Sequence, residues 1–485
     1  MYHRIVRNVS QNQSRVPLIS KLKAHVDLNS TSFHVPGHSS GRLVPKDILD
    51  LIGTGVFNSD LTEIAGLDNL HHPVEAIRQA QLLAAEAYET KETHFLVGGS
   101  SAGIKTMMLA SLNPGEKLVI SRDCHKSAIN ALILGSIEPV FVYPSNDDFH
   151  YPASSTDYVD ILEKKTSVQT VLITAPNYYG MLNDVKTISD KAKRNKSIVI
   201  VDEAHGSHLC WSSELPESSL CMNVDMVVHS AHKTLPALTQ GSYLHVVGQG
   251  SNSNRLGSFL SIMQTSSPSY PIMASLDACR KYMYFNGEKC LKQTLDISRW
   301  LRDEINSIDG LKSCYRKEAI ENGAFDSDET KLFIDLSESG LDGYKADEFL
   351  RTKNIFVEMT EFRGVLCMIT VATNWDDAHR LVEALKDMIH DVENNHSMCP
   401  RDLNPPRTKL DVLPRDAFFS ETALIPITEA IGRVSASVVT SCPPGTPALI
   451  PGEVITEAIV SFMINKLEMD QPMEGVSESW ISVVK

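Results

Sequence analysis

The chain is 485 residues long, 42% hydrophobic and 22% charged, with a formal net charge of −15, the make-up of a globular protein of two or three domains. The acidic excess is spread out and no basic run tracks a phosphate backbone, so nucleic acid is not an expected partner; no segment is apolar over the length a membrane crossing needs. The nine cysteines include no C-x-x-C pair, which argues against a disulfide framework or a zinc ribbon and for a reduced, cytoplasmic protein with no metal site.

Residues 1–30 form an N-terminal segment with no stretch like a signal peptide. A Gly/His/Pro-rich piece, FHVPGHSSG (33–41), precedes a long helical pattern, PVEAIRQAQLLAAEAYET (73–90). From about residue 90 to 250, short apolar runs alternate with helical stretches. HFLVGG (94–99), KLVIS (117–121), PVFVYP (139–144), TVLITAP (170–176), SIVIVDEAH (197–205) and VDMVVHSAH (224–232) read as strands. SAGIKTMMLASL (101–112), SAINALILG (127–135) and DVKTISDKAKRN (184–195) read as helices. Nearly continuous apolar runs predict strands covered on both faces. Repeated βα units predict an α/β fold with a mainly parallel sheet and right-handed crossovers. The expected division is a large domain over 31–285, a small α/β domain over 286–396, a proline- and charge-rich linker over 397–409 and a C-terminal module over 410–485.

In such sheets the chemistry sits just beyond the carboxyl ends of the strands. There HSAHKTLPALTQGSYLHV (229–246) presents Lys233 among small and hydroxyl residues, a setting that suits a Schiff-base lysine. Alone, a lysine at a strand end is more often a surface lysine. Its neighbours decide. Asp202 ends an apolar strand and is suited to hold the ring nitrogen of pyridoxal phosphate protonated. The glycine-hydroxyl turn of FLVGGSSAGIKT (95–106) offers backbone N–H groups and the hydroxyls of Ser100 and Ser101 to an anion. His125, in SRDCHKS (121–127), is placed to stack on a cofactor ring.

Two other patterns compete. VDEAH matches the Walker B sequence of DEAH-type helicases, and GGSSAGIKT resembles a P-loop. A P-loop needs lysine directly after its second glycine, and here Ile104 separates Gly103 from Lys105. The His71-His72, His205/His208 and His229/His232 pairs invite a metal reading, but no companion cluster has zinc spacing.

Taken together these segments resemble the bacterial Orn/Lys/Arg decarboxylases of pyridoxal-phosphate (PLP) fold type I, an aspartate-aminotransferase-like fold. FHVPGH, DLTEIAGLDNLHHP (60–73), CHKS, VDEAHG, SAHKTLPALTQGSYLH, QTSSPSYPIMASLD (264–277) and PPGTPALIPGE (443–453) carry the likeness. The chain is most similar to the short Gram-positive branch, which lacks an N-terminal wing domain. The resemblance implies that Lys233 carries the cofactor, with His232 beside it near the phosphate and the reacting carbon. It implies that Asp202 pairs with the ring nitrogen, His125 stacks on the ring, and Ser100, Ser101 and Ser230 hold the phosphate. His205 would add a cofactor contact, and Ser266 would reach a neighbouring subunit's phosphate in a homodimer or higher homo-oligomer with shared active sites. Glu453 would lie near the substrate entrance. Family members often carry an aromatic residue before the PPG where this chain has Cys442, which touches substrate preference rather than the cofactor site.

The implied reaction is α-decarboxylation of a small basic amino acid: arginine first, giving agmatine for polyamine synthesis, then lysine, then ornithine. Asp60 and Glu63 are candidates to meet the distal cation. The remaining alternatives are an aminotransferase-type PLP enzyme, a non-catalytic PLP-binding relative and a DEAH-type NTPase.

Overall fold

Between residues 92 and 246 the apolar runs do form strands: β1 (Glu92–Leu96), β2 (Lys117–Ser121), β3 (Glu138–Val142), β4 (Thr170–Thr174), the short β5 (Met181–Leu182), β6 (Ile198–Asp202), β7 (Met226–His229) and β8 (Ser242–Val246). The computed structural model describes residues 10–485 apart from 145–147, 149, 165–166, 251, 393–404, 442–444, 470 and 472. Cys442 and most of the expected linker therefore lie outside the described residues. The chain divides into two compact units, Met1–Ala110 with Ile200–Lys292 and Ser111–Val199 with Gln293–Lys485.

In the first unit the strands stand in the order β1-β8-β7-β6. β6 and β7 are parallel, with Asp202 opposite Val228. β8 is a strand that the alternation of apolar runs did not single out, and it runs antiparallel to both neighbours, pairing His229 with Tyr243 on one side and Thr93 with His245 on the other. Every residue of β7 and β8 is buried, as expected where both faces are covered. The helix Gly99–Ser111 supplies one cover. A Cβ on Gly103 would lie 2.6 Å from Val228 Cγ2 and 2.7 Å from Leu96 Cδ1, so only glycine lets this helix lie so close to β1 and β7.

In the second unit β4, β2 and β3 are parallel, with Leu118 opposite both Thr170 and Pro139. Two helices of this unit follow from their caps. His125 begins Lys126–Gly135, and the Asp184 side chain accepts the Thr187 N–H at the start of Val185–Arg194, satisfying amides that the first helical turn leaves without partners. β5 pairs with β9 (Asp326–Ser327). Beyond it β10 (Lys331–Asp335), β11 (Met359–Glu361) and β12 (Gly364–Met368) make an antiparallel sheet in the order β10-β12-β11. Its core includes Leu332, Ile334, Val365 and Leu385. The C-terminal residues have their own core of Val439, Leu449, Ile459, Phe462 and Ile481, built around the helix Glu457–Glu468 and an antiparallel pair of strands, Thr422–Pro426 and Trp480–Val484.

Candidate active site

β7 ends at His229, and the chain turns at once through Ser230 into a single helical turn, Ala231–Thr234. Lys233 stands on that turn, half-buried, with its Nζ 2.8 Å from His205 Nε2. His205 comes from the turn that follows β6 and is itself buried. Asp202 closes β6 and is buried. Burial pushes its carboxyl above the ordinary aspartate range, while the Lys233 charge and the Ala204 N–H, 3.1 Å from Oδ1, pull it back. A carboxylate in this setting gains from a cationic partner.

Ser230 donates its hydroxyl to Ser100 Oγ at 2.7 Å, both side chains being buried. Ser100 and the half-buried Ser101 lie in the first turn of Gly99–Ser111. Gly99 opens that turn with φ +72°, a left-handed value, and its N–H donates to Gln240 O at 3.0 Å; glycine takes this conformation without a Cβ penalty. A hydroxyl pair at a helix N-terminus is a setting that suits an anion. His232 Nδ1 lies 3.1 Å from Gly241 O. Ser266 is exposed in the turn after the helix Ser253–Met263. Asp60 and Glu63 are engaged locally, Asp60 Oδ2 with His38 Nε2 at 3.2 Å and Glu63 Oε1 with the Leu70 N–H at 3.3 Å.

One feature of the first unit escaped the motif reading. Glu203, next to Asp202 but on the opposite face, is fully buried and accepts from Ser218 Oγ, the Ser219 N–H at 2.6 Å and His229 Nε2 at 3.0 Å. His229 Nδ1 is 3.2 Å from His245 Nε2, and His245 Nδ1 is 2.9 Å from Thr93 Oγ1. The available signal was the pair of histidines inside otherwise apolar strands. These bonds also account for His229, which the metal reading had paired with His232.

In the second unit His125 is the N-cap of Lys126–Gly135, and its Nδ1 lies 2.8 Å from Ser127 Oγ. Gly445, the last residue of the C-terminal PPG motif, is tied to the same turn. Lys126 N–H donates to Gly445 O at 3.0 Å, and a Cβ on Gly445 would come within 3.3 Å of the His125 ring. Glu453 does not stand open beside an entrance. It is wholly buried and forms a two-pronged pair with Arg122, both bonds 2.9 Å. The position follows from chemistry: a carboxylate so deeply buried requires a cation and fixed donors. This unit also encloses a cavity of about 400 Å³ beside His150, Tyr179 and Phe333, where Arg363 bonds Asp148 and Asp335.

The comparisons decide the family. The Orn/Lys/Arg decarboxylase major-domain model matches residues 16–377, and the C-terminal-domain model of the same family matches residues 406–479. This chain belongs to the Orn/Lys/Arg decarboxylase family. As a family member it is 34% identical over 481 residues to the arginine decarboxylase of Bacillus subtilis (strain 168), covering 98% of both chains. It superimposes on the Francisella novicida lysine decarboxylase with a TM-score of 0.84 at 18% identity, covering 98% of this chain and 82% of that one. A more distant likeness, to the Bacillus subtilis ureidoglycine-glyoxylate aminotransferase, has a TM-score of 0.54 at 10% identity and covers 66% of this chain and 85% of that one. The fold is thus the aspartate-aminotransferase-like fold type I, as the motifs implied, and the protein is a decarboxylase-family enzyme. No helix among the described residues is long and apolar enough to cross a membrane.

Proposed function

We propose that this enzyme decarboxylates arginine to agmatine and CO₂ with pyridoxal phosphate held on Lys233. The observation that carries the reading is the gathering of Lys233, Asp202, Ser100 and Ser230 at neighbouring strand and helix ends of one unit. The residues suit the cofactor. Lys233 offers a primary amine to its aldehyde, the buried Asp202 offers a carboxylate to its protonated ring nitrogen, and the Ser100–Ser230 hydroxyls at a helix N-terminus suit its phosphate. The near-full-length likeness to an arginine decarboxylase supports arginine over lysine or ornithine.

When bound, pyridoxal phosphate supplies a conjugated ring that takes up the electron pair left behind as the carboxylate departs as CO₂. The chain's own residues do the rest. Asp202 would keep the ring nitrogen protonated and Ser100, Ser101 and Ser230 would hold the phosphate, while a stacking role for His125 rests on the family resemblance. Lys233 or His232 delivers a proton to the substrate Cα. His205 bonds Lys233 and orients its amine.

A homodimer or higher homo-oligomer, with Ser266 serving a neighbouring copy, completes the proposal. It is supported by the helix Lys46–Ile52, which buries none of its residues and leaves Leu51 80% exposed, and by the exposed Phe33, Val35 and Leu43 nearby in sequence. Apolar residues concentrated in this way mark an interface.

The test is product analysis with the PLP-loaded protein, offered arginine, lysine and ornithine separately. Agmatine from arginine, lost together with the visible cofactor band in Lys233→Ala, is the expected outcome. Cadaverine or putrescine in its place reassigns the substrate. A keto acid product, or turnover by Lys233→Ala, overturns the reaction.

A further inference from the structure

The geometry points to Glu203 and His229 as positioning residues for the cofactor-binding ends of β6 and β7, acting through a buried hydrogen-bond relay that runs across all four strands of the first unit. The inference rests on the cofactor roles proposed for Asp202, Ser230 and Lys233.

The contacts link in series. Thr93 Oγ1 lies 2.9 Å from His245 Nδ1, His245 Nε2 3.2 Å from His229 Nδ1, and His229 Nε2 3.0 Å from Glu203 Oε1. Each imidazole has one nitrogen that can donate and one that can accept, so every contact in the series can pair a donor with an acceptor. The remaining capacity of Glu203 is filled by Ser218 Oγ and the Ser219 N–H. Thr93 lies in β1, His245 in β8 and His229 in β7, while Glu203 directly follows β6. Glu203, His229 and His245 are 0–1% exposed, so water does not compete for these bonds.

The placement gives the relay its consequence. Glu203 adjoins Asp202, and its own N–H donates to Val228 O at 3.1 Å. His229 adjoins Ser230, whose carbonyl accepts the Lys233 N–H at 3.1 Å. Successive residues of a strand face opposite sides, so the relay grips the exits of β6 and β7 from the face opposite Asp202. Tyr88 closes that face, its ring centroid 5.7 Å from His229 and 4.6 Å from His245. A buried network with every member matched specifies one arrangement. Loosening it frees both strand exits together.

The experiment uses the full-length protein and measures the dissociation constant for pyridoxal phosphate, the pH midpoint of the visible band of the bound cofactor, and thermal unfolding. His229→Leu breaks the relay, and Glu203→Gln places amide hydrogens against the Ser219 N–H. Each is expected to weaken cofactor binding about tenfold or more and to move the band's pH midpoint. His229→Gln keeps one donor for Glu203 and one acceptor for His245, so it should restore both readouts to within about twofold of the parent. His229→Asn, which is shorter, should lie between Gln and Leu and serves if Leu fails to fold. Variants that unfold at lower temperature yet keep the parent's affinity and pH midpoint would show a merely structural network and overturn the inference. A parent protein with no lysine-dependent cofactor band overturns the proposed cofactor reading itself, and this inference with it.

Discussion

The Glu453 carboxylate forks onto the Arg122 guanidinium through two 2.9 Å bonds in the interior of the second unit. Arg122 also donates to Pro447 O and Ala448 O, and Glu453 Oε2 accepts the Ile450 N–H. Burial opposes the Arg122 charge, yet Glu453 more than restores it and holds the guanidinium above its ordinary value. Removing one partner of such a pair leaves a bare charge in the interior. Glu453→Ala should therefore cost about 3–5 kcal/mol of stability, and Glu453→Gln less, measured as a shift of the denaturant midpoint at constant slope.

The contact between Lys233 and His205 makes a separate prediction. A hydrogen bond to a charged group contributes about 1.5–3 kcal/mol. His205→Ala should then lower kcat/KM for arginine roughly 10- to 100-fold, with His205→Gln retaining part of the rate because an acceptor remains. Steady-state kinetics on the cofactor-loaded variants decide it. Unchanged kcat/KM would remove His205 from the site.

Acid sensitivity should follow from His245. Burial first, and then the neighbouring His229, hold its imidazole well below the ordinary value of 6.5. The unfolded chain takes up a proton below that pH while the folded chain does not. The stability from this residue is thus fully present above about pH 6.5 and is lost as pH falls, at up to about 1.4 kcal/mol per pH unit. Urea midpoints measured from about pH 7.5 down to about pH 5.5 should fall for the parent chain and fall less steeply for His245→Gln.

Gly103 tests the packing of the helix on the sheet. Its missing Cβ leaves the space that Val228 and Leu96 fill. Gly103→Ala should cost about 1–3 kcal/mol through overpacking, against the usual gain of alanine over glycine in a helix. Thermal unfolding gives the sign directly, and a stabilised variant would contradict the geometry.

Much of the candidate site could be placed along the chain because it is local. Apolar runs mark strands and candidate ligand-facing residues come at or just after their ends: Asp202 ends β6, and Ser230, Lys233 and Ser100 sit a few residues beyond β7 and β1. Strand ends and helix starts obey short-range rules, so those residues could be named in advance. The antiparallel course of β8 was not legible, since strand direction depends on where the connection returns and not on apolar periodicity. Glu453 was expected at an entrance and is buried, because its partner Arg122 is 331 residues away. Glu203 was passed over, and His229 weighed only as half of a metal pair, for the same reason. Their meaning lies in bonds across strands 26 residues apart in the chain, and a buried polar group can be assigned only when the fold supplies its partner.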